Sequence, residues 1–178
     1  MVQTILILVV VVSANVLGGF MTAPQAIRLL RTHNTQGVSS PWAGVGIAMN
    51  SWWLLYGVQN GIPELVPLSA VAAGLYATIA VLCVRVNGRT ELPGLIGVGL
   101  TLGLIPLPFL LIGGWPAAGV VIGVSYGAQF VPALISALRT REPKGIAPVT
   151  WVMAWTEAAL WLVFSATIVD VPLMIGGG

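Results

Sequence analysis

The chain has 178 residues, of which 57% are hydrophobic and only 7% charged, and its mean hydropathy is +0.98. An ordinary soluble domain carries roughly a quarter charged residues, so a chain this apolar lacks the polar surface to cover itself in water. A soluble globular domain is excluded, and a net charge of +2 carried by scattered arginines excludes a nucleic-acid surface.

A transmembrane helix needs about 20 apolar residues, which leaves room for roughly six to seven short-looped spans and no soluble domain. The first expected span, 2–30, lacks a basic start and stays apolar past Met21, so it reads as a membrane helix and not as a cleaved signal. The next spans are expected at 41–58, 63–86, 93–112, 116–138 and 148–169. Several begin at a proline, whose missing N–H is not needed in the first helical turn. The tail 171–178 starts like a further span and stops where a seventh helix should begin, so that helix is expected to be truncated or absent. Cys83, the one cysteine, sits in an apolar run as a small buried hydrophobe, and His33 falls in a link as a solvated residue.

Orientation follows from the cations. Arg28 and Arg31 end the first helix, Arg85 and Arg89 lie between the third and fourth, and Arg139, Arg141 and Lys144 lie between the fifth and sixth. All seven fall on one side of the expected bundle. Cytoplasmic loops collect Lys and Arg, so that side is expected in the cytoplasm, with the N-terminus outside and the plasma membrane as location.

Sliding the sequence on itself by 108 positions aligns Pro24 with Pro132, Ile27 with Ile135 and Leu30-Arg31-Thr32 with Leu138-Arg139-Thr140. Gly37 then meets Gly145 and Trp53-Leu54 meets Trp161-Leu162, without a gap. Chance similarity between apolar helices does not account for shared Pro, Arg-Thr, Gly and Trp. The expected organisation is a first unit at 1–90, an inverting linker helix at 91–114 and a second, incomplete unit at 115–178. The units then run parallel about an axis along the membrane normal, an arrangement used by secondary transporters.

Thr22-Ala-Pro-Gln25, Arg31-Thr32, Gly37-Val-Ser39 and Trp53-Leu-Leu-Tyr-Gly57 together resemble the PQ-loop superfamily, and within it the SWEET and SemiSWEET sugar transporters. The resemblance implies an all-α transmembrane fold of two parallel triple-helix bundles joined by a linker helix. It also implies alternating access by rocking about prolines. Pro24, Gln25 and Pro132 are the hinge candidates, although the second unit has Pro132-Ala133 where the first has Pro24-Gln25. The sugar-transporting members place an asparagine in the third helix of each unit, whereas here that helix offers only Ser69, Tyr76 and Thr78.

Four residues are candidates for a solute pocket. Trp53 and Trp161 offer flat apolar faces suited to a sugar ring, and the resemblance puts them in the pocket; Trp42, Trp52, Trp115 and Trp151 read as interfacial anchors. Asn50 lies three residues before Trp53, and Glu157 four before Trp161, each on the helical face of its tryptophan. Glu157 sits mid-helix with no cation nearby in sequence. A charged carboxylate at bilayer depth costs several kcal/mol, so Glu157 is expected to face the bundle interior and is also the proton-coupling candidate. Asn15, Ser125, Tyr126 and Gln129 could supply further solute contacts or bonds between helices.

No nucleophilic triad, metal-spaced cluster or phosphate-binding loop is present, so neither an enzyme nor a cofactor or metal is expected. The expected function is transport of a small polar solute, with a mono- or disaccharide favoured. A proton-coupled carrier of an amino acid or other metabolite is the first alternative, and a non-transporting PQ-loop receptor or assembly factor the second. The expected partners are the lipid bilayer and the solute, with assembly into a homo-oligomer left open and no nucleic acid.

Overall fold

The computed structural model describes residues 2–36, 38, 40–128 and 148–177, and among them every regular element is helical. In chain order these are α1 (Val2–Thr32), α2 (Ser40–Gln59), α3 (Val66–Asn87), α4 (Leu92–Leu104), α5 (Pro106–Ala128), α6 (Pro148–Ile168) and α7 (Val171–Gly177). Single 3-10 turns at Pro63–Leu65 and Arg89–Glu91 lead into α3 and α4. Three helical segments are long and apolar enough to cross a membrane, Gln3–Thr32, Pro63–Asn87 and Arg89–Ser125. In α6 the stretch Val152–Ile168 is apolar but shorter than these three.

The expected fourth helix is split. Pro106 and Pro108 have no N–H, so the hydrogen-bond ladder lapses at Ile105, although that residue keeps helical dihedrals (φ −54°, ψ −42°). The path then turns at Gly114, whose φ of 66° and ψ of −163° no L-residue adopts without strain. Gly114 therefore divides α5 into two helical stretches, at the break between the expected spans 93–112 and 116–138.

Packing sets which helices can share a site. α3 lies against both α1 and α2, and α7 lies against both α5 and α6. α1 packs along α6, while α2 packs on α5 and, on its other side, on α4. At the α2–α4 crossing a Cβ on Gly44 would run into the Leu95 carbonyl, so only glycine allows that approach. The outer surface is apolar: Phe20, Leu111, Ile112 and Trp155 are 63%, 86%, 90% and 79% exposed. A patch that extensive is stable only against lipid or protein.

One expectation about an individual residue changes. Trp52 is buried and not an interfacial anchor, because its indole N–H donates to the Gly103 carbonyl at 2.9 Å and its ring packs edge-on to Trp115. Pro24 is exposed on the outside of α1, which continues through it unbroken to Thr32. Pro132 and the cations Arg139, Arg141 and Lys144 lie outside the described residues. Cys83 is fully buried and His33 exposed, as expected.

The α1–α2 and α3–α4 links meet at one end through a polar chain. The Thr35 hydroxyl donates to Asn87 Oδ1 at 2.6 Å, the Asn87 amide donates to Glu91 Oε1 at 3.1 Å, and the Ser40 hydroxyl donates to Glu91 Oε2. Arg28, Arg31, Arg85 and Arg89 are all exposed and all flank these two links. The bonds from Ser40 and then Asn87 hold the Glu91 carboxyl, which lies in the link, below the usual carboxylate range. A depressed carboxyl stabilises the fold above its unfolded pKa and loses that contribution as pH falls through the folded one. Melting in detergent micelles across acid pH should show a loss of stability that Glu91→Gln removes. An acid limb unchanged in Glu91→Gln would assign that loss to other groups.

Candidate functional site

Trp53 on α2 and Trp161 on α6 enter one buried apolar core together with Met49, Ile122 and Leu173. The positions 108 apart have matching environments. Trp53 and Trp161 are each 7% exposed, and Tyr56 and Phe164 are each 2% exposed. Each tryptophan meets its partner edge to face, Trp53 with Tyr56 at 5.5 Å and 83°, Trp161 with Phe164 at 5.9 Å and 76°. Such pairs add about 0.5–1.5 kcal/mol beyond the area they bury. The Trp53 ring also presses on the backbone of α7 at Gly176, where any Cβ would collide with it.

Asn50 is buried behind Trp53, and its amide donates to the Gly46 carbonyl of its own helix at 2.8 Å. One donor is thereby spent locally. Gly46 itself receives the Tyr76 ring of α3, which also stacks edge-on against Trp42 at 4.8 Å. Asn15 bonds between helices, donating to the Val11 carbonyl at 2.9 Å and to the Glu64 carbonyl at 3.3 Å. Gln25 is half-buried on α1, Ser125 half-buried on α5, and Gln129 and the Tyr126 side chain lie outside the described residues.

Glu157 lies near the middle of α6 and turns into the seam with α1, where Gly18 is near the middle of its own helix. A Cβ on Gly18 would come within 2.5 Å of Glu157 Oε1 and 2.8 Å of Leu68 Cδ2, so the bare glycine backbone makes the notch that holds the carboxyl. Trp161, one turn along α6, reaches the same carboxyl, and Tyr76, itself hydrogen-bonded to Thr22, lies close enough to feel its charge. Glu157 is half-buried at this seam. Its neighbours Gly18 and Tyr76 come from two separated stretches of sequence, and nothing in the order of residues joins them to Glu157.

At the far end of α2 the Tyr56 hydroxyl donates to Asp170, 2.8 Å from Oδ2 and 3.1 Å from Oδ1. Asp170 also accepts the Leu173 backbone N–H at 2.8 Å, capping the first turn of α7. One carboxylate thus ties α2 to the turn between α6 and α7. Tyr56 entered the sequence analysis only within the Trp53–Gly57 motif, with no role for its hydroxyl. The available signal was an acidic residue, Asp170, standing alone between two apolar helices.

Among the described residues no three of His, Cys, Asp and Glu come together as metal ligands. Comparison with protein families finds no match, and no curated protein is similar enough to this chain to count as a relative.

Proposed function

We propose that this protein is a membrane carrier that passes a small polar solute, a mono- or disaccharide favoured, between two triple-helix units by alternating access. The first unit is α1, α3 and α2, with α3 in the middle, and the second is α5, α7 and α6, with α7 in the middle. The linker runs from Leu92 to Gly114, and α7 begins at Val171, 108 residues after Pro63. The cation-bearing links face the cytoplasm, and the Tyr56–Asp170 end faces outward.

The observation that carries this reading is the matched pair of aromatic contacts. Trp53 on Tyr56 and Trp161 on Phe164 have like burial and like geometry, and they meet in one core between the units. The cross-unit contacts, α1 with α6 and α5 with α2, also exchange under the same two-fold relation. A site shared by two like units can open first on one side and then on the other as they rock. The resemblance to the PQ-loop superfamily points the same way and supplies the sugar, while the lack of an asparagine along α3 before Asn87, which sits at the link, leaves cargo choice to the tryptophans.

The test is exchange of labelled glucose, sucrose and amino acids by purified protein in proteoliposomes preloaded with the unlabelled solute. Saturable exchange of a saccharide is the expected result, and Trp161→Ala should weaken its half-saturation by roughly tenfold, the worth of about one stacking contact. Exchange of amino acids alone would move the cargo, and exchange of nothing would end the carrier reading.

A further inference from the structure

We infer that Glu157 is a proton-binding site whose protonation closes the seam between α1 and α6, so that the carrier is gated by pH. The inference rests on the carrier reading for its transport consequence, and on the geometry of the seam for the site itself.

The half-buried carboxyl lies at mid-helix depth with its Oε1 over the Gly18 backbone, which the Leu68 side chain also approaches. The groups around it are few. From α1 comes Gly18, from α3 Tyr76, which Thr22 of α1 hydrogen-bonds, and from its own helix Trp161. α7, the other helix packed on α6, has no titratable side chain. Tyr76 is the one titratable group facing Glu157 among the described residues, and it is neutral at physiological pH. The nearest cation on α1, Arg28, is exposed and ~15 Å further along the helix.

A carboxylate without a counter-cation, half-buried at mid-helix depth, is strongly disfavoured. It can be neutralised by a cationic solute or by a proton. The close approach of the carboxyl to the Gly18 backbone leaves no space for a solute between carboxyl and helix, whereas a proton needs none. Loss of the proton leaves a charge that has to be hydrated more fully than this half-buried position allows, which favours parting of α1 and α6. The neutral form therefore stabilises the closed seam and the ionised form opens it. Gly18 is what permits the closure, since any larger residue would hold the helices apart.

Two measurements test the site. The first follows exchange of the labelled solute in proteoliposomes held at the same pH inside and out, from pH 5 to pH 9. Wild-type exchange should fall about tenfold through one titration as pH rises, a shift of ~1.4 kcal/mol in the closing equilibrium. Glu157→Gln, permanently neutral, should show no titration, and Tyr76→Phe should move the midpoint while keeping the titration. The second reads the site without transport: infrared difference spectra of the wild-type protein should show a protonated-carboxyl band that is lost on raising pH and missing in Glu157→Gln. Wild-type exchange that ignores pH, or an infrared band unchanged in Glu157→Gln, overturns the gate and leaves the carrier reading standing. If Glu157→Gln does not fold, Tyr76→Phe and the wild-type spectra decide: a midpoint unmoved by Tyr76→Phe, or no carboxyl band that titrates in that range, overturns the gate. If no solute exchanges while the band titrates, the carrier reading fails and takes the gating claim with it.

Discussion

Asp170→Ala should lower the melting temperature of the detergent-solubilised protein more than any other single change at the Tyr56–Asp170 end. Asp170 is the shared acceptor for the Tyr56 hydroxyl and for the Leu173 N–H. Its removal leaves a hydroxyl unpaired on a tyrosine only 2% exposed, which costs about 1–3 kcal/mol. It also uncaps α7, which costs about another 1 kcal/mol. Tyr56→Phe should cost less, because Asp170 keeps its bond to Leu173 and no buried group is orphaned. In a double-mutant cycle the pair should show a coupling of about 1–2 kcal/mol. Additive losses would mean that the hydrogen bond does not hold α2 to α7 in solution. In the exchange assay Asp170→Ala should reduce the rate more than Tyr56→Phe does, in the order of their stability losses.

Trp53→Ala should be the most damaging change within the core. Trp53 packs edge-on to Tyr56, lies over Gly176 of α7 and shares its core with Trp161. In a membrane protein the surrounding lipid is as apolar as the core, so little hydrophobic transfer is lost; what is lost is packing. The cavity left by an indole is worth roughly 3 kcal/mol if the neighbours do not collapse into it. Trp53→Phe should recover more than half of that stability, because a ring still fills the space over Gly176. If the tryptophan also contacts the solute, exchange should fall in Trp53→Phe by more than stability does. A parallel fall in both would confine Trp53 to packing.

How much of this was legible beforehand differs by feature. The helix starts at Pro41, Pro63 and Pro93, and the break at Gly114, were readable because Pro and Gly act on their own backbone. The split at Pro106 follows from the same chemistry but was hidden inside an apolar run. Burial was harder. In water a helix shows its inner face by polarity, but in lipid both faces are apolar, so the sequence does not say which tryptophan turns inward. Trp52 was expected at the membrane surface and is buried on Gly103; Pro24 was expected to matter as a hinge and its ring faces outward from an unbroken helix.

The sequence alone determined a helical chain too apolar for water, its cations gathered beside particular links, and one carboxyl, Glu157, placed where no charge is comfortable. These are properties of composition and of single helices, and the bilayer acts on each helix separately. Only the tertiary structure decided that Glu157 rests on Gly18 beside Tyr76, and that Tyr56 bonds to Asp170, 114 positions away. Those partners lie on different helices, and what brings them together is close backbone approach at glycine and the hydrogen bonding of groups that lipid cannot satisfy. Both conditions arise only after the helices have packed.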